Sequence, residues 1–288
     1  MKKLSLVLAM SLLIALLPGC QTTPATQVAA TTLPVYEFTT TLCQGTGITV
    51  TRLVDESVSC LHDYSLSVSQ VKALESAETV VISGAGLEEF MEDLLPEDTI
   101  DSSVGIEALE CTEEHDHDHD HHHEQDSHIW LSPANGKIMA QNICSGLSAQ
   151  YPQHQETFEK NLQNLLAKLN ELQTYGQSQL QDLQCRDLVT FHDGFAYFAD
   201  AFDLHILHAI EEESGREASA QELKHLIGIV REHNLPAVFT ECNGSVSAAD
   251  IICAETGAKC YALDMAMGGD SYFEAMYHNI DTIKEALG

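Results

Sequence analysis

The stretch Phe158-Glu159-Lys160-Asn161-Leu162-Gln163-Asn164-Leu165-Leu166-Ala167-Lys168-Leu169-Asn170-Glu171-Leu172 lies near the middle of the chain and decides how the rest is read. Phe158, Leu162, Leu165, Leu166, Leu169 and Leu172 recur at the three-and-four spacing of one helix face. Residues 153–183 hold no proline and a single glycine, Gly176. They predict one helix of about 30 residues, ~45 Å long at a rise of ~1.5 Å per residue. The charges flanking the apolar stripe are too sparse for a coiled-coil seam. The helix therefore reads as a rigid connector between two halves.

Working outward, both halves alternate strand and helix patterns. Residues 48–53 have strand character and 68–77 read as a helix. Residues 79–83 carry the apolar run Val80-Val81-Ile82 of a buried parallel strand. Gly84-Ala85-Gly86 follows, then a helical 87–95 closed by Pro96, and a helix at 135–151. Beyond the connector, strands are expected at 187–191, 205–209, 237–240 and 259–263. Helices are expected at 194–202, 220–233, 246–256 and 271–287. This is an α/β pattern: parallel sheets with helices on both faces, split into two lobes.

The first half is interrupted by His115-Asp116-His117-Asp118-His119-Asp120-His121-His122-His123, with Glu113, Glu114, Glu124 and Asp126 around it. No packed core absorbs so many adjacent polar side chains, so residues 113–126 read as a solvated loop. His115, His117, His119, His121, His122 and His123 supply imidazole for borderline divalent metals, and the carboxylates add oxygen donors. Metal capture is the expectation.

Lys2 and Lys3, an apolar run from Leu4 to Leu17, and Leu17-Pro18-Gly19-Cys20 form a secretory signal too short for a membrane span. The run ends in a small residue and then Cys20, like a bacterial lipobox. Residues 1–19 are then a signal peptide and Cys20 the lipidated first residue. Residues 20–32, rich in Thr and Ala, would be a flexible tether holding the protein outside the membrane. Forty-four acidic residues against 13 basic ones give a net charge of −31. That argues against nucleic acid, whose phosphates need clustered Lys and Arg, and favours local enrichment of cations. Of nine cysteines, eight remain beside Cys20, an even number that suggests disulfides in an exported chain. Cys43/Cys60 and Cys253/Cys260 are the locally plausible pairs. No Cys-x-x-Cys is present, which disfavours a thiolate zinc knuckle.

Ligands in α/β folds sit at the carboxyl ends of strands. His62 follows the 48–53 strand and its loop, His128 follows the His-rich loop, His192 ends the strand at Phe191, and Asp264 ends the last strand. Three imidazoles and a carboxylate suit tetrahedral Zn²⁺. Glu241 also ends a strand there, as a carboxylate orienting a histidine or as a plain structural acid. Asp193 has the same two readings, or caps the following helix. Trp130 and Tyr64 either wall the site or pack the core. No His-Glu-x-x-His or Gly-x-Ser-x-Gly is present, so the chain is not expected to be an enzyme.

These residues stand in motifs that resemble one family over essentially the whole mature chain: the cluster A-I metal-binding lipoproteins of ABC importers, above all the zinc-uptake members. The resemblance rests on His62-Asp63-Tyr64 and Val81-Ile82-Ser83-Gly84-Ala85-Gly86-Leu87-Glu88. It extends through Asp126-Ser127-His128-Ile129-Trp130-Leu131-Ser132-Pro133 and Phe191-His192-Asp193-Gly194-Phe195-Ala196-Tyr197-Phe198. Phe239-Thr240-Glu241, Leu263-Asp264 and Gly268-Gly269-Asp270-Ser271-Tyr272 complete it. It implies two (β/α)4 lobes joined by the long helix: an N-terminal lobe at 33–150, the connector at 151–184 and a C-terminal lobe at 185–288. It implies a metal in the interlobe cleft held by His62, His128, His192 and Asp264. Manganese-handling members commonly carry Glu where His192 stands, so Zn²⁺ is favoured over Mn²⁺. The implied partners are an ABC transporter permease and, through the lipid on Cys20, the bacterial cell membrane; a monomer is expected. The alternatives are a manganese or iron member of the same family, or a metal-buffering or adhesion lipoprotein working through the His-rich loop. Two positions depart from the family pattern: Cys242-Asn243 replaces Pro-Gln, and Met265-Ala266 replaces Pro-Leu.

Overall fold

The computed structural model describes residues 26–55, 61, 64–109, 126–209, 219–242 and 247–288. The signal segment, Cys20, His62 and the His-rich tract lie outside these residues.

The N-terminal lobe contains β1 (Val28–Ala30), α1 (Leu33–Leu42), β2 (Val50–Arg52), α2 (Val68–Ser76), β3 (Thr79–Ile82), β4 (Ile100–Asp101) and α3 (Pro133–Gln150). The connector is α4 (Gln155–Leu180). The C-terminal lobe follows with β5 (Asp187–Thr190), α5 (Ala196–Ala201), β6 (His205–Ala209), α6 (Ala220–Glu232), β7 (Ala237–Glu241), α7 (Ser247–Thr256), β8 (Lys259–Leu263) and α8 (Tyr272–Leu287). Each lobe carries one four-stranded sheet, ordered β2-β1-β3-β4 and β6-β5-β7-β8. Every pairing is parallel. In both sheets the strand order reverses beside the first strand, between β1 and β3 and between β5 and β7. Such switch points open a crevice at the carboxyl ends of the strands.

The strands are apolar on both faces because both are covered. Along β5, Leu188 joins the central core and Val189 the outer one under α6 and α7; Phe239 and Val238 divide β7 the same way. The central core runs through both lobes, because α4 carries its buried stripe past each of them. Asn161 on α4 donates to the Leu42 and Gln44 carbonyls of the first lobe, and Tyr175 donates to Asp281 of α8 in the second.

The one glycine of α4 has a packing cause. A Cβ on Gly176 would stand 2.2 Å from Cε1 of Phe202. Gly176→Ala should therefore destabilise the protein by about 1–3 kcal/mol through overpacking, outweighing the ~1 kcal/mol gain in helix propensity. Urea denaturation checks the sign: a more stable variant would show that Phe202 gives way freely.

Three expectations need correction. The tether does not extend to residue 32, because Val28–Ala30 is a central strand, fully buried between β2 and β3. Residues 87–95 form not an α-helix but a 3-10 segment, Glu89–Leu94, entered through a turn with Ala85 and Gly86 at positive φ. Cys253 and Cys260 are bonded, linking α7 to β8. Cys43, however, is a free thiol whose pKa burial pushes up to about 12; its expected partner, Cys60, lies outside the described residues. Among the described residues, no helix is long and apolar enough to cross a membrane.

Candidate metal centre

Each switch point places a buried acid at the carboxyl ends of its strands. In the first lobe Glu88 accepts from the Thr31 hydroxyl at 2.6 Å and from the Ser83 and Gly84 amides at 2.8 and 3.0 Å. Burial pushes its carboxyl up to about 7. In the second lobe Glu241 ends β7, and His192 stands two residues past the end of β5. Oε1 of Glu241 lies 3.6 Å from Nδ1 of His192, and both side chains are buried.

His128 comes from the first lobe. Asp126-Ser127-His128 is buried just before a short 3-10 turn, Ile129–Leu131, and Ser132 then caps α3 by accepting from the Asn135 amide. One oxygen of Asp126 accepts from the His128 amide at 2.9 Å and faces its Nδ1 at 2.8 Å. The other, Oδ2, is buried with no hydrogen-bond partner in the described structure.

Each ring thus turns Nδ1 toward a carboxylate, and the two Nε2 atoms meet 3.3 Å apart across the lobe boundary. A carboxylate at Nδ1 favours the tautomer protonated there and leaves Nε2 as an acceptor. Two facing lone pairs repel unless a proton or a cation lies between them. Two ligands on tetrahedral zinc, at ~2.0–2.1 Å each, would be separated by about 3.3 Å. The donor pair therefore fits a borderline divalent cation.

Trp130 fixes the joint. Its indole donates to the Met265 carbonyl at 2.7 Å, its own carbonyl accepts from Tyr272 at 2.8 Å, and its ring lies 5.3 Å from that of His128. It both packs the core and walls the histidine. Tyr64 packs instead against Phe90 and accepts from Gln70. α5 starts beyond Phe195, so Asp193 is not its N-cap.

Asp264 sits at the same rim, at the end of β8. Its amide and carbonyl are clamped by Asn279 at 2.7 Å each, and Oδ1 accepts from Ala266 at 2.7 Å. Asp264 and Glu241 both add negative charge around Cys242, whose thiol is pushed up first by burial and then by these two acids. Of the four expected ligands, the structure brings His128 and His192 together, sets Asp264 on the rim in a turn, and does not describe His62. Among the described residues no three His, Cys, Asp or Glu side chains converge as a metal-holding group. Two contributors were not singled out as site residues from the sequence. Asp126 was legible only as an acid two residues before a histidine. Gly194, where a Cβ would meet His192, Met265 and His128, stands in sequence only as one residue of the motif after His192, with no role of its own.

Residues 28–286 match the family model described as zinc-uptake complex component A, periplasmic. The chain belongs to this family. The match spans both lobes and the connecting helix. The high-affinity zinc uptake system protein ZnuA of Bacillus subtilis is 29% identical over 283 residues, covering 90% of this chain and 87% of that protein. The zinc-binding lipoprotein AdcA of Streptococcus pneumoniae is 30% identical over 99% of this chain, which spans only 61% of AdcA. A manganese ABC transporter substrate-binding lipoprotein, PsaA of Streptococcus mitis, is 28% identical over 57% of this chain and 56% of its own length. A crystal structure of ZnuA superposes with a TM-score of 0.78 at 32% identity, covering 91% of this chain and all of that one. The family is one of extracytoplasmic solute-binding proteins for metal transport, and the chain is not an enzyme.

Proposed function

We propose that this protein captures Zn²⁺ in the cleft between its lobes and hands it to the permease of an ABC importer, while anchored outside the cell membrane by a lipid on Cys20. His128 and His192 supply the first two nitrogens, and their Nε2 atoms 3.3 Å apart are the observation that carries the reading. His62 and Asp264 complete the tetrahedron, Asp126 and Glu241 hold the rings, and the His-rich residues 115–123 are an auxiliary reservoir. A donor set dominated by imidazole favours zinc over the harder manganese ion. The zinc-named relatives, matched over most of this chain, support that choice; the partial match to PsaA is the ground for manganese as the second reading.

Titration of the purified protein with Zn²⁺ in the presence of competing Mn²⁺, with and without residues 113–126, tests this. One tight zinc site should survive removal of the loop, unmoved by equimolar Mn²⁺. Its affinity should fall steeply below about pH 6, because zinc needs neutral imidazole and free histidine titrates near ~6.5. If the tight step disappears with the loop, the cleft is not the site. Affinity that stays flat from pH 7.5 to 5 would assign the site to carboxylates.

A further inference from the structure

We propose that Asp187, His205 and His233 form a second, weaker zinc site on the face of the C-terminal lobe opposite the cleft. Asp187 opens β5 and His205 opens β6, and the two are register partners on adjacent parallel strands. His233 ends α6, which runs back along the sheet before the chain enters β7. All three therefore gather where the strands begin, whereas His192 and Glu241 stand where β5 and β7 end. Nδ1 of His205 is 3.2 Å from Oδ1 of Asp187, and Nδ1 of His233 is 3.9 Å from Oδ2. Two rings from different elements present the same atom to the two oxygens of one carboxylate.

An exposed ion pair between His and Asp is worth only about 0–1 kcal/mol, so these contacts add little to stability. The donor types, two imidazoles and a carboxylate, are those zinc takes when it keeps an open position for water. The 3.2 Å separation is already close to the ~3.3 Å between ligands of a tetrahedral zinc. The 3.9 Å separation closes by rotation of His233, whose side chain is 42% exposed. As described, no three donors enclose a common point. The metal must draw together side chains that are 62%, 42% and 35% exposed, whereas His128 and His192 are buried, so this site is weaker than the cleft. The guanidinium of adjacent Arg186 is bonded to the carbonyls of Leu180, Gln181, Phe202 and Asp203 rather than to Asp187. The chain's net charge of −31 raises the local concentration of cations.

Imidazole signals of the whole protein, followed by NMR during Zn²⁺ addition at constant pH, test the site directly. The His205 and His233 resonances should shift together, at zinc concentrations above those that saturate His128 and His192. Mg²⁺ should leave them in place. Asp187→Asn should raise the zinc midpoint of both rings about tenfold without moving the response of His128 and His192, and His233→Ala should do the same to His205. Rings that stay put at roughly tenfold zinc excess, that respond independently of each other, or that ignore Asp187→Asn would overturn the proposal. A silent His128 and His192 would count against the cleft reading alone.

Discussion

His192→Ala is expected to weaken zinc binding by about 10²- to 10³-fold with the fold preserved. Structural zinc sites bind with about 10–16 kcal/mol shared among four ligands, or ~2.5–4 kcal/mol each; each ~1.4 kcal/mol is a factor of ten. His192 is buried at the carboxyl end of β5 with Nε2 against that of His128, so its loss removes one of the two nitrogens that meet there. Glu241 faces the far nitrogen of the same ring at 3.6 Å. Glu241→Gln should cost less, about tenfold, because it loosens the ring without removing the donor. Asp126→Asn should cost at least as much as Glu241→Gln, since Asp126 lies 2.8 Å from Nδ1 of His128 and Glu241 3.6 Å from that of His192. Isothermal titration gives the ranking, and circular dichroism confirms that each variant folds. If Glu241→Gln and His192→Ala lose equally, Glu241 is itself a ligand.

The parts of this architecture that were legible in the sequence are those whose cause is local. The apolar stripe of α4 states its own period, and only Gly176 interrupts it, for a reason that lies on Phe202. The runs Val80-Val81-Ile82 and Leu188-Val189-Thr190 announce strands covered on both sides. β1 announces nothing. Its three residues, Val28-Ala29-Ala30, follow a Thr- and Ala-rich segment and are too few to show a period; only pairing with both β2 and β3 makes them a strand. The site divides along the same line. His192 and Glu241 were found because strand ends are predictable in an α/β pattern. That β5 and β7 are neighbours, so that the imidazole and the carboxylate meet, is a matter of topology. Asp126 reads in sequence as the last acid of a solvated tract. Its burial depends on how His128 is seated between the lobes.

Gly194→Ala is the sharpest consequence of that long-range assembly. The backbone there is not left-handed, so alanine meets no conformational bar; the obstacle is space. A Cβ would lie 2.6 Å from Cδ2 of His192, 2.7 Å from Cε of Met265 and 3.0 Å from Cε1 of His128. Met265 presents the end of a flexible chain and can swing aside. The rings cannot do so at no cost: Asp126 holds one and Glu241 faces the other. A tilt that clears the methyl is expected to shift the two Nε2 atoms from their 3.3 Å approach. The variant should fold, lose about 1–3 kcal/mol of stability to overpacking, and bind zinc about 10- to 100-fold more weakly, the scale on which misoriented metal histidines lose affinity. Adding Met265→Ala separates the two effects. The cavity it leaves should destabilise less beside the added methyl than beside Gly194, a coupling measured by urea denaturation of the single and double variants, while zinc affinity stays low because the ring contacts remain. Affinity of Gly194→Ala within about twofold of the unsubstituted protein would show that the rings relax without moving their nitrogens. Recovery of affinity in the double variant would place the conflict on Met265, leaving the histidine pair free of any steric demand at position 194.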